Sequence, residues 1–179
     1  PLNLIKEELK VTVKTTNNKK QSIASSQEDL IKYAFNLHAK GDLEAACDAY
    51  QRFLDQGSTH PQVLSNYGAI LQNKGEFKKA IALYQRCIAL FPDHPTAYSN
   101  LGIALSDMGE LSEAEKATRK AIAINPNSNH THLLLSSLLI KQNKLEESEK
   151  SLLKAIEIDP KLASVHLNLS AIYKKSGKF

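Results

Sequence analysis

Apolar residues recur along this chain at helical spacing, in short runs that are broken at regular intervals. In "SNLGIALSDMGEL" (99–111), Leu101, Ala104, Leu105 and Met108 share one helical face, and Gly109 closes the run. A second run follows at once, from Leu111 towards Pro126. The same pair of runs recurs when the sequence is shifted by 34 residues, so that "NYGAILQNKGEFKKAIALYQRCIALFPD" (66–93) overlays "NLGIALSDMGELSEAEKATRKAIAINPN" (100–127) without a gap. The step continues to residues 134–161 and 168–179, and backwards to 32–59. A constant period of this length predicts a solenoid.

Each unit reads as two helices. The first closes at Gly41, Gly75, Gly109, Asn143 or Gly177, residue types that accept the left-handed conformation of a helix end. The second runs to Pro92, Pro126 or Pro160, where proline prevents continuation. Pro61 and Pro95 stand where the next helix starts and a missing N–H is harmless. Two positions stay small throughout: Ala34, Gly68, Gly102, Ser136 and Ser170 in first helices, and Ala46, Ala80, Ala114 and Ser148 in second helices. Small side chains at fixed places let helices approach closely. Gly102 is therefore a packing hole, where leucine would overfill the site and alanine is expected to be accommodated, even to stabilise.

These features resemble the tetratricopeptide-repeat family. Its pattern is met by Tyr98, Leu101, Gly102, Leu105, Ala114 and Pro126, and one unit earlier by Leu64, Tyr67, Gly68, Leu71, Ala80, Tyr84 and Pro92. The resemblance implies an all-α, right-handed α-solenoid of antiparallel helix pairs. Residues 1–26 form a tail, and the array occupies 27–60, 61–94, 95–128, 129–162 and a partial unit, 163–179. Pentatricopeptide repeats are the nearest rival, but their period is one residue longer. Three departures stand out: Phe53 where later units have Cys87, Ala121 and Ala155, Ser58 where they have proline, and Thr118 in place of an aromatic residue.

Charge narrows the function. The net charge is +4, but residues 1–26 hold five Lys and two Glu, leaving 18 cationic and 17 acidic side chains in residues 27–179. The body is nearly neutral, which argues against a nucleic-acid groove. No apolar run reaches membrane-spanning length. Cys47 and Cys87 lack ligand spacing and fit a reducing, cytoplasmic setting. His60 and His94 recur with the repeat, and His130 and His132 point in different directions on a predicted helix, so no metal and no cofactor is expected. No phosphate loop, nucleophile elbow or carboxylate pair is present, and the segment is expected not to be an enzyme.

What remains is a surface. The resemblance places first helices on a concave groove, where one inward position holds Lys32, Asn66, Asn100, Leu134 and Asn168. Asparagine there resembles the ladder in the arrays of O-linked N-acetylglucosamine transferases, and its amide donors and acceptors suit a peptide backbone. Ser65, Ser99, Gln72, Asn73, Asp107 and Lys141 are expected to point the same way, with Leu133, Leu134 and Leu167 adding an apolar stretch. Where chaperone-binding members grip a carboxylate with basic residues, this chain has His130 and Leu134. The expected role is binding a protein or peptide segment in that groove. The alternative is a substrate-selecting or assembly arm of a larger bacterial glycosyl- or methyltransferase. The chain stops within a repeat, so the parent protein is expected to continue past Phe179. Self-association is expected through the N-terminal tail, in which Leu2, Ile5 and Leu9 share a face, or through the uncovered last helix.

Overall fold

The computed structural model describes residues 26–161 and 164–176. All regular structure among them is helical: α1 (26–39), α2 (Leu43–Asp55), α3 (Pro61–Asn73), α4 (Phe77–Leu90), α5 (Pro95–Asp107), α6 (Leu111–Ile124), α7 (Asn129–Lys141), α8 (Leu145–Ile158) and α9 (Ser164–Ser176). The architecture is the all-α solenoid of helix pairs that the period predicts. The tail up to Ser25, the helix end at Gly177 and the side chain of Leu167 lie outside the described residues.

The helix ends follow the sequence signals. Gly41, Gly75 and Gly109 have φ of +80°, +79° and +81°, and Asn143 takes the same left-handed role at φ 61°. Behind each, the next residue donates back to the last turn: Glu76 N to Leu71 O at 2.9 Å, Glu110 N to Leu105 O at 2.9 Å and Lys144 N to Leu139 O at 2.8 Å. These bonds satisfy carbonyls that a helix end leaves open. The second helices α4, α6 and α8 stop at Leu90, Ile124 and Ile158, two residues before each proline, because the residue preceding proline is driven out of the helical region.

The chain divides into two compact units, Pro1–Thr59 and His60–Phe179. In the first, Tyr50 of α2 is fully buried, its hydroxyl 3.0 Å from Nδ1 of His38 and its ring edge-on to Phe35. The departures are absorbed here: Phe53 is buried, and α2 ends through Gly57 at φ +74° instead of a proline. Ser58, at the missing proline's place, has a buried hydroxyl without a hydrogen-bond partner.

In the second unit α3, α5 and α7 each pack on their own second helix and on the first helix of the next repeat, α3 on α5, α5 on α7 and α7 on α9. No comparable packing joins α4 to α6 or α6 to α8 among the described residues. First helices thus form the closely packed layer and second helices the splayed one. The core runs between them, through Leu71, Ala80, Tyr84 and Ala104, then Leu105, Ala114 and Leu138, then Leu152, Ala155, Val165 and Ile172.

The packing holes are tighter than the sequence suggests. A Cβ on Gly68 would lie 2.5 Å from Cε1 of Tyr84, and one on Gly102 would lie 2.5 Å from Oγ1 of Thr118 and 3.2 Å from the Ala114 carbonyl oxygen. The expectation that alanine fits at 102 is corrected: the site has no room for a methyl group as it stands. Thr118 fills less space than Tyr84, and Leu134 of the next repeat reaches in to 3.6 Å from the same point. In the fourth repeat serines take both small positions and bond each other, Ser136 Oγ to Ser148 Oγ at 2.8 Å.

Candidate interaction surface

The first-helix layer carries most of the polar residues singled out from the sequence. Asn66 on α3, Asn100 on α5 and Asn168 on α9 are half-buried at equivalent places. Their neighbours cross-link the layer. Gln72 donates through Nε2 to Asp107 Oδ2 at 2.8 Å, and Lys141 donates through Nζ to Ser106 Oγ at 2.8 Å. Both bonds join residues 35 apart. A third link runs from Asn168 Nδ2 to Ser137 Oγ at 3.4 Å. The buried Tyr84 hydroxyl donates to Gln72 Oε1 at 3.2 Å, which fixes the glutamine that reaches Asp107. Burial of Tyr84 raises its phenol pKa above the usual range. Asn73 is exposed at the end of α3, and Lys32, in the first unit, is exposed and paired with Glu28 at 2.7 Å.

Two expected residues do not belong to an open polar face. Ser65 and Ser99 are buried, 3% and 7% exposed. Ser65 Oγ lies 3.8 Å from Cys87 Sγ, while Ser99 donates to the Pro95 carbonyl at 3.1 Å and meets Thr131 Oγ1 at 3.4 Å. Successive helix residues point about 100° apart, so a serine beside a surface asparagine turns into the packing. Leu133 and Leu134 differ for the same reason. Leu133 packs on the cluster of Leu152, Val165 and Ile172, and Leu134 on that of Leu105, Ala114 and Leu138. Both are half-buried, so each also keeps part of its side chain at the surface of α7. Leu134, which takes asparagine's place in the series, lies 3.6 Å from where a Cβ on Gly102 would stand.

One polar centre was not anticipated. Glu115 of α6, its side chain 12% exposed, accepts from Arg119 Nη2 at 2.8 Å, Gln142 Nε2 at 2.9 Å and Lys144 Nζ at 2.8 Å. Arg119 also bonds Glu147 at 2.6 Å, so the network ties α6 to the α7–α8 turn and to α8. Burial works to raise the Glu115 pKa, but hydrogen bonds from Lys144, Arg119 and Gln142 prevail and hold it at about 2. Glu115 and Arg119, four apart, are a visible signal; the partners 27 and 29 residues on are not.

Both cysteines are buried, and burial pushes the Cys87 thiol up against a smaller opposing effect from its contact with Ser65. A thiol so placed is a packing element, not a nucleophile. Among the described residues no three His, Cys, Asp or Glu side chains converge as metal ligands do. None of the described helices is long and apolar enough to cross a membrane.

The repeating helix pairs and their cross-linked first-helix layer define a helical-repeat protein. More specifically, the chain belongs to the tetratricopeptide-repeat family: models described as tetratricopeptide repeat match residues 28–54 and 59–127, and one described as TPR repeat matches 137–177. No curated protein matches it by sequence. Among solved structures it is similar to the MamA 41-end fragment from Desulfovibrio magneticus RS-1, with a TM-score of 0.76, 19% identity, and coverage of 84% of this chain and 85% of that one. It is also similar to YrrB, described as a TPR protein with an unusual peptide-binding site, at a TM-score of 0.70 and 20% identity over 83% of this chain and 76% of the other. A third relative in fold is the first TPR of Spaghetti (RPAP3) bound to the HSP90 peptide SRMEEVD, at a TM-score of 0.63 and 21% identity over 65% and 93%. At such identities the likeness is one of fold.

Proposed function

We propose that this chain is a protein-interaction module that holds an extended segment of a partner protein against the first helices of its second unit, acting by binding and without chemistry of its own. The observation that carries the reading is the placement of Asn66 and Asn100 at equivalent points on adjacent first helices, α3 and α5, which the Gln72–Asp107 bond ties together. Tighter packing among first helices than among second helices favours a curve with the first helices inside, the hollow a segment would enter. An asparagine amide offers both donor and acceptor to a backbone, and groups already held in place lose little freedom on binding. Solved relatives in fold include one with a bound peptide and one named for a peptide-binding site, which supports the general role. Two buried, reduced thiols accord with a cytoplasmic setting.

The test is selection of binders from a library of random peptides displayed on phage, followed by affinities measured on the wild type and on the double variant Asn66→Ala/Asn100→Ala. Loss of two hydrogen-bonding side chains is expected to weaken a selected peptide about tenfold or more, with an unchanged melting temperature. Equal affinity of the two proteins for every selected peptide would sink the reading.

A further inference from the structure

The opposite face of the second unit carries a groove that this role leaves unused. It lies between the second helices α6 and α8, over α7. Ile122 and the buried Leu135 form the apolar part of its floor beside the buried His132, whose Nε2 lies 3.0 Å from the Pro126 carbonyl oxygen, and Lys150 and Lys154 stand on its α8 wall. Arg119 and Glu147 close one end, neutralising each other at 2.6 Å. The lysines are both exposed and are one helical turn apart, on the same side of α8. Lys150 has no ion-pair partner among the described residues, and Lys154 meets only Glu157, in a pair exposed at both ends that exchanges cheaply.

The groove is built twice. Between α4 and α6, over α5, Ile88, Leu101, Lys116 and Lys120 line a second groove in the same register, 34 residues earlier. There Glu110 and the Glu113–Lys116 pair offset the lysines. The α6–α8 groove is lined by three cationic side chains, Arg119, Lys150 and Lys154, and one acidic, Glu147, whereas the α4–α6 groove holds two of each sign.

From this charge pattern we infer that the α6–α8 groove docks an acidic amphipathic segment of a protein partner, with an apolar side chain on Ile122 and Leu135 and carboxylates one turn apart facing Lys150 and Lys154. The site is separate from the first-helix face, so one chain would hold two segments at once.

The experiment uses the full chain and a fluorescein-labelled helical peptide with leucines along one side and glutamates at i, i+4 positions on its flank. Fluorescence anisotropy is followed for that peptide, for a copy with every Glu replaced by Gln, and for a labelled DNA duplex. The acidic peptide is expected to bind about tenfold more tightly than the Gln copy, and Lys150→Glu/Lys154→Glu to weaken it by about as much. Lys150→Gln/Lys154→Gln is a milder variant that must shift affinity in the same direction, and both proteins are checked by circular dichroism melting. Asn66→Ala/Asn100→Ala leaves this affinity unchanged, which separates the proposal from the first-helix reading. Absent binding, equal binding of the Gln copy, tighter binding of the DNA, or a loss confined to Asn66→Ala/Asn100→Ala would each overturn it.

Discussion

Replacing Gly102 with alanine sets two opposed effects against each other, and the structure decides between them. Alanine relieves the cost of a mid-helix glycine, about 1 kcal/mol. Its methyl group, however, would sit 2.5 Å from Thr118 Oγ1, closer than such carbons come to any neighbour, and 3.2 Å from the Ala114 carbonyl oxygen. Thr118 cannot simply turn away. It is fully buried, and its hydroxyl donates to that carbonyl at 2.8 Å, so rotation strands a buried polar group. Stranding it costs about 1–3 kcal/mol, and separating α5 from α6 instead forfeits packing of similar size. The expected net effect of Gly102→Ala is destabilisation by about 1–2 kcal/mol. Urea unfolding measures it, provided the slope of the transition is unchanged. A double-mutant cycle gives the sharper result: removal of the obstructing hydroxyl by Thr118→Ala makes room for the methyl, so the two changes should couple favourably by about 1 kcal/mol or more. A more stable Gly102→Ala protein, or strict additivity with Thr118→Ala, would refute the packing argument.

Other outcomes follow from the same structure. Because folding holds the Glu115 carboxyl at about 2, below its ordinary 4.5, its contribution is complete above about pH 4.5 and fades as the pH falls towards 2. Glu115→Gln should therefore cost about 2–4 kcal/mol at neutral pH, with the gap to wild type narrowing in urea melts between about pH 5 and 3; a constant gap contradicts the assignment. Asn143 holds a left-handed conformation, so Asn143→Ala should lose about 1 kcal/mol while Asn143→Gly changes little, as thermal melts can establish.

Much of the fold was legible because its signals are local and repeat. Glycine or asparagine after each first helix, proline after most second helices, and small residues at two fixed places each specify a turn or a close approach by themselves. The surface was harder to read, since it depends on which way neighbouring residues on one helix point. Asn66 and Asn100 lie at the surface, but Ser65 and Ser99, one residue earlier, turn into the contact with Cys87 and Thr131. That Leu134 also packs on Leu105 and Ala114 was hidden, because those partners belong to the preceding repeat. The Glu115 network was hidden likewise, because three of its five members come from the following repeat.

The most direct test of the central claim is an NMR titration that follows the side-chain amides of the asparagines. With a library-selected peptide added to isotope-labelled protein, the NH2 signals of Asn66 and Asn100 should shift together and saturate at one stoichiometric equivalent. They belong to two adjacent helices, so joint saturation requires a single segment lying across both. Shifts confined to α6 and α8, with the signals of Asn66 and Asn100 unmoved at saturation, would contradict the account.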